Sequence, residues 1–251
     1  TIFLNEKGKI VDFVTILKAN GDFLMIATNG NENILKDHLE KFIVMEDVSF
    51  SIEKIKKQTF ITENKSEFSG INDFDLIEGN YFCIDEYRFQ KIIALIYNED
   101  SAYLKSLYMN SQELTEDSFR NFAIEKAYVY SVTELNKNIN PLECHLRDFI
   151  SFDKGCYIGQ EVIARLDSQG KIPKVMVGIT ADFRILKDDK IYSDISGTEI
   201  ECGFVSSATS TDNNFKGFGF IRDVNLSDSS NYYINKDNNK IISINKLNKL
   251  I

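Results

Sequence analysis

Beyond Pro173 the chain breaks into six short β-prone runs, VMVGI, KIYS, TEIECGFV, FGFIR, NYYI and KIISI, separated by Gly, Asn, Asp and Ser. Short strands punctuated this way are the pattern of a small barrel or sandwich. The change of texture places a domain boundary at about residue 174, so 1–174 is expected to be an α+β region and 175–251 a C-terminal β-barrel. DNNFK and KDNNK are too short for disordered arms and read as turns.

At 251 residues the chain has length for one large domain or two ordinary ones. In the first part, KIVDFVTILKANGDFLMIAT (9–28) holds two β-branched and aromatic runs around Asn20-Gly21, which predicts an antiparallel hairpin. Asn31 is a plausible cap, and Ile34, Leu35, His38, Leu39 and Phe42 then describe one apolar helical stripe, with His38 a packed residue rather than a ligand. Val48, Phe50 and Ile52 alternate with polar residues as in a half-buried strand, and TFIT, YFCI and KIIALIY continue an antiparallel sheet. Leu114, Phe119, Phe122 and Ala123 predict a helix covering that sheet. Two lobes within the region are possible, 1–50 with 127–174, and 51–126.

A formal net charge of −9 argues against nucleic acid as a partner. Every apolar run is shorter than the roughly 20 residues a membrane helix needs, and no secretory signal opens the chain, so a cytoplasmic protein without membrane contact is expected. The first residue is Thr1, not Met, the expectation for a chain that has lost an N-terminal element by processing or truncation. Cys83, Cys144, Cys156 and Cys202 form no C-x-x-C pair and are expected as reduced thiols. A metal site from Cys144, His145 and Cys156 is disfavoured, because adjacent helical side chains point about 100° apart.

The stretch DKGCYIGQEVIARL (153–166) sets two glycines around Cys156 and Tyr157 before a short helix. Glycines there permit positive φ or close backbone approach. A thiol before a helix N-terminus, with Lys154 beside it, favours thiolate and is a candidate functional group; the alternative is a small apolar side chain filling a crowded turn. Charges over 141–174 balance to zero, while 165–174 carries +2, so an anionic ligand would be tolerated near the turn or the face is simply solvated. The Gly155/Gly159 pair lacks a following Gly-Lys-Ser/Thr, and GFGFIR lacks a third glycine, so neither is a nucleotide loop.

PLECHLRDFISFDKGCYIGQEVIAR closely resembles the signature of the YgfZ family, folate-binding relatives of the glycine-cleavage T-protein that include an iron–sulfur assembly factor; K-G-C-Y-x-G-Q-E is met by Lys154 to Glu161 without mismatch. FLNEKGKIVDFV, GFVSSA and GFGFIR resemble other family segments. The resemblance implies a T-protein-like folate-binding fold of antiparallel sheets and helices ending in a barrel, with tetrahydrofolate or a folate derivative as cofactor and iron–sulfur enzymes or assembly factors as partners. Glu143 matches a pterin-contacting glutamate, and a carboxylate suits paired N–H donors. Arg165, with Lys171 and Lys174, would meet the anionic tail, and Lys154, Tyr157 and Asp12 complete the folate-side candidates. Where the T-protein has a double aspartate this chain has Val11 and Asp12, which puts aminomethyl transfer in doubt.

The leading expectation is a tetrahydrofolate-binding accessory protein supporting assembly or repair of iron–sulfur clusters in other enzymes, with Cys156 as its functional thiol and no classical turnover. The alternative is a folate-dependent aminomethyltransferase, which needs an acid or base such as Asp12. A ligand-free scaffold using the Phe204, Phe215, Phe218 and Phe220 rings is a third class; core packing is the default for those rings.

Overall fold

The computed structural model describes residues 1–19, 21–28, 30–62, 71, 74–87, 89–131, 133–195, 197–211, 213–226 and 231–247. The chain divides into two units, one of Thr1–Val48 with Phe119–Ile251, the other Ser49–Ser118.

In the first unit, β1 (Ile2–Leu4) pairs antiparallel with β2 (Ile10–Phe13), and β3 (Thr15–Ala19) with β4 (Asp22–Ile26). The expected hairpin is present, with Ala19 opposite Asp22, although Asn20 lies outside the described residues. The long run before it is broken at Val14, whose N–H bonds to Thr1 O, so its first half serves a different sheet. α1 (Glu32–Glu40) follows Asn31, but the Asn31 side chain does not cap it. Its Nδ2 instead donates to Val11 O at 2.7 Å, tying the helix start to β2.

The second unit is a four-stranded antiparallel sheet of β5 (Lys56–Thr62), β6 (Phe74–Ile77), β7 (Asn80–Asp85) and β8 (Gln90–Ile96), in the order β5-β8-β7-β6. Residues 48–52 form no strand; Val48 and Ile52 are exposed, and their alternation finds no neighbouring edge to pair with. One sheet face carries Phe60, Phe82, Ile92 and Ala94, covered by α2 (Ala102–Met109) through Leu104 and its neighbours. The covering helix is therefore not the one expected from residues 114–126. Ser101 caps α2 by accepting from Leu104 N, and Glu78, in the β6–β7 turn, accepts from Ser101 Oγ at 2.7 Å and Tyr103 N at 3.1 Å. Those bonds hold the Glu78 carboxyl below the usual range.

The chain then forms α3 (Glu116–Glu125), a 3-10 turn at Pro141–Cys144 and α4 (Gln160–Gln169). Six strands follow: β9 (Lys174–Ala181), β10 (Lys190–Ile195), β11 (Thr198–Ser210), β12 (Phe215–Arg222), β13 (Tyr232–Ile234) and β14 (Asp237–Lys246). They close as a barrel in the order β10-β11-β12-β9-β14-β13, which leaves no free sheet edge. Val177, Ile179, Ile191, Val205, Ile221 and Ile242 fill it. β11 spans thirteen residues and shifts register between Val205 and Ser207, a bulge that lets one long strand turn around the barrel. On the outer face Lys174 and Met176 of β9 lie opposite Arg222 and Phe220 of β12. Among the described residues no helix is long and apolar enough to cross a membrane.

Candidate functional site

Three segments distant in sequence meet through two glycines and one asparagine. In the turn between β1 and β2, Asn5 Oδ1 accepts from the N–H groups of Lys7 and Lys9 at 3.0 and 3.1 Å, and Gly8 N–H bonds to Asn5 O at 2.9 Å. Gly8 has φ +65°, and a Cβ there would lie 3.1 Å from Val162 of α4. Gly159, at the N-terminus of α4, has φ +80°, and a Cβ there would lie 2.6 Å from Asn5 O and 3.0 Å from Gly8 Cα. The LNEKGK turn and the second glycine of KGCYIGQE are thus packed backbone against backbone.

Asn140 adds the third segment. Its Oδ1 accepts from Leu142 N at 2.9 Å and its own N–H donates to Glu143 Oε2 at 2.8 Å, a capping box on the turn that Pro141 opens. Its Nδ2 donates to Gly8 O at 2.8 Å. One buried side chain therefore fixes both the turn bearing Glu143 and the turn bearing Lys9.

The Glu143 side chain is only 2% exposed, and Lys9 Nζ stands 3.5 Å from its Oε2. Its other oxygen, Oε1, has no hydrogen-bond partner among the described residues. Oε1 is not itself sealed from the surface, so on a side chain otherwise buried it is the oxygen left to accept from an incoming donor. Oε2 accepts from Asn140 N–H and faces Lys9, so of the two oxygens Oε1 is the one no protein donor reaches among the described residues. On the barrel side, His145 Nε2 lies 3.0 Å from Met176 O, holding the turn to β9. Lys174 Nζ sits 5.3 and 5.2 Å from the centroids of Phe204 and Phe220, whose rings stack. Burial pushes the Lys174 ammonium below its usual value; Glu143 opposes this and Lys9 reinforces it.

Cys156 is exposed, while Cys83, Cys144 and Cys202 are buried. Burial pushes the Cys144 thiol well above its ordinary value and the Cys202 thiol to about 11, which makes both inert as nucleophiles. Lys154 does not turn to the sulfur: its Nζ lies 4.8 Å from the centroid of the Tyr157 ring. Tyr157 N–H donates to Gln160 Oε1 at 3.0 Å, and partial burial raises the phenol. Arg165 is exposed on α4, with no side-chain partner among the described residues. Its neighbour Arg147 grips Asp167 with two bonds, at 2.8 and 3.1 Å. Asp12 is fully buried, Oδ1 accepting from Phe13 N at 2.8 Å and Oδ2 from Thr28 N at 3.2 Å. That carboxylate braces backbone. Of the four rings, Phe218 and Phe220 are buried, while Phe204 and Phe215 are partly exposed.

Glu134 was not legible as a special residue. It is 2% exposed, accepts from Ser206 Oγ at 3.0 Å, and burial raises its carboxyl above the usual range. Asn140 and Lys9 were also missed, although the order Asn-Pro-Leu-Glu is itself a capping-box signal. Among the described residues no group of three or more His, Cys, Asp and Glu is placed to hold a metal ion.

No family model matches the chain. Its fold is shared with the glycine cleavage system aminomethyltransferase T from Bartonella henselae, with a TM-score of 0.73 over 98% of this chain and 74% of that one, at 15% identity. The fold is therefore T-protein-like. In sequence, the chain is 26% identical over 71% of its length to an Arabidopsis thaliana protein named "Putative transferase At1g60990, chloroplastic". It spans 46% of that protein's length.

Proposed function

We propose that this chain is a tetrahydrofolate-binding protein of the YgfZ type, supporting assembly or repair of iron–sulfur clusters in other enzymes. The observation that carries the folate reading is Glu143: a buried carboxylate, fixed by Asn140 and Lys9, with Oε1 left to accept from a ligand. The pterin ring of a folate presents ring and amino N–H donors, which fit such an acceptor. The T-protein-like fold supports the same reading. The iron–sulfur part rests on the KGCYIGQE resemblance and on Cys156, the exposed thiol among four.

Aminomethyl transfer is the weaker reading, because both Asp12 oxygens are engaged by backbone N–H groups on a fully buried side chain. Arg165, exposed on α4, is placed to meet an anionic tail, whereas Lys174 is half-buried over the Phe204 and Phe220 rings.

Calorimetric titration with tetrahydrofolate tests the proposal. Glu143→Gln keeps an oxygen for the Asn140 N–H yet replaces the carboxylate, and Glu143→Ala removes both; each should weaken binding about tenfold or more. Affinities equal to that of the native chain would remove Glu143 from the ligand. Cys156→Ser should retain folate binding and lose support of iron–sulfur enzyme activity in complementation; full rescue would end the thiol's role.

A further inference from the structure

Lys174 is an ammonium without an acceptor. It is half-buried at the start of β9, and among the described residues no carbonyl or carboxylate accepts a hydrogen bond from its Nζ. Glu143 acts on it electrostatically, yet the two form no ion pair. Its Nζ lies over the Phe204 and Phe220 rings, which attract a cation but take no conventional hydrogen bond. The turn packed against β9 holds the mirror case, Glu143 Oε1, an acceptor without a donor among the described residues.

Both come from rigid supports. Glu143 is set by the capping box, Lys174 by the closed barrel, and the His145–Met176 contact joins the two. Lys9, Lys174 and Glu143 together leave one surplus positive charge, so the complementary ligand edge is not donors alone. It is a donor beside an electron-rich acceptor, the –NH–C(=O)– edge of a lactam.

We propose that Lys174 is a specificity-determining residue of the Glu143 site, donating to the ring carbonyl of the same pterin edge whose N–H groups face Glu143. This rests on the folate reading and extends it. Glu143 selects for N–H donors, and Lys174 rejects a ring in which the carbonyl is replaced by an amino group, because that ring turns a donor toward an ammonium. Lys9 and Cys144 are the other titratable groups acting on Lys174, and His145 adjoins the turn; Lys9 already pairs with Oε2, Cys144 is buried, and His145 Nε2 faces Met176 O.

The test is anaerobic calorimetry with two small probes lacking the glutamate tail: a tetrahydropterin with the ring carbonyl, and its analogue with an amino group there. The native chain should prefer the carbonyl ring by about tenfold or more, the worth of one charge-assisted hydrogen bond. Lys174→Met, which keeps contact with both phenylalanines, should narrow that preference about tenfold, leaving the share Glu143 contributes through the ring N–H that the amino analogue also lacks. Lys174→Arg should retain the preference. Circular dichroism identifies any variant whose barrel has not formed, and the arginine variant then decides. Binding without preference in the native chain, or a preference undiminished in Lys174→Met, overturns the role of Lys174 alone. No binding of either probe by the native chain overturns this inference and the folate reading together.

Discussion

Replacing Gly159 with alanine separates a structural from a chemical purpose for the KGCYIGQE glycines. Gly159 holds φ +80°, where an alanine costs roughly 1 kcal/mol through its Cβ. That Cβ would also stand 2.6 Å from Asn5 O and 3.0 Å from Gly8 Cα. Both obstacles are backbone, so relief requires the β1–β2 turn to move off α4, at about 1–3 kcal/mol for an overpacked contact. A less flexible unfolded chain returns about 0.5 kcal/mol, leaving a net loss of roughly 1.5–3.5 kcal/mol. For a chain of this size that is about 5–10 °C in midpoint. Gly155→Ala is the control: nothing lies within 4 Å of its Cβ, and it should stay within about 0.5 kcal/mol of native. Thermal melts followed by circular dichroism and tyrosine fluorescence serve, since the chain has eleven tyrosines and no tryptophan. A midpoint for Gly159→Ala no lower than that of Gly155→Ala would refute the close approach on which the Glu143 site is built.

Glu134→Gln should change the pH dependence of stability. Burial raises this carboxyl, so its contribution is complete below the ordinary carboxyl value and is lost as pH rises through the raised one. Glutamine stays neutral and still accepts from Ser206, so the variant should gain on the native chain in urea midpoints as pH rises above the ordinary carboxyl range; a difference that does not change with pH would show that Glu134 does not titrate there. An aromatic disulfide reagent should find one fast thiol in the native chain, Cys156, and four after denaturation, with Cys156→Ser removing the fast one. Fast reaction that survives in Cys156→Ser would place the accessible sulfur elsewhere.

The barrel was the most legible part of the fold, because its strands are local in composition and bounded by turn residues. VMVGI, FGFIR and KIISI fall within β9, β12 and β14, and the other three runs also supply strands. Val48, Phe50 and Ile52 misled for a physical reason: alternation specifies which face a strand would bury, not whether an edge is present to receive it. The break at Val14 was hidden for a similar reason. KIVDFVTILK is uniformly β-prone, and only the bond from Val14 to Thr1 divides it between two sheets.

The site divides along the same line. Glu143 and Cys156 stood out because a contiguous motif contains them, whereas the residues that give Glu143 its properties come from the segments around 9, 140 and 174. No local pattern reports that Lys9 pairs with Oε2 or that Lys174 stands on two phenylalanines from neighbouring barrel strands. Asn140 is the informative intermediate. Its capping role is local and readable, and its second bond, to Gly8 O, is not. An Asn140→Asp chain would retain an acceptor for Leu142 but lose the donor to Gly8, leaving the cap intact and the Lys9 turn released. The geometry of the acid is thus a tertiary property imposed on a local motif, and a chain can carry the motif without carrying the site.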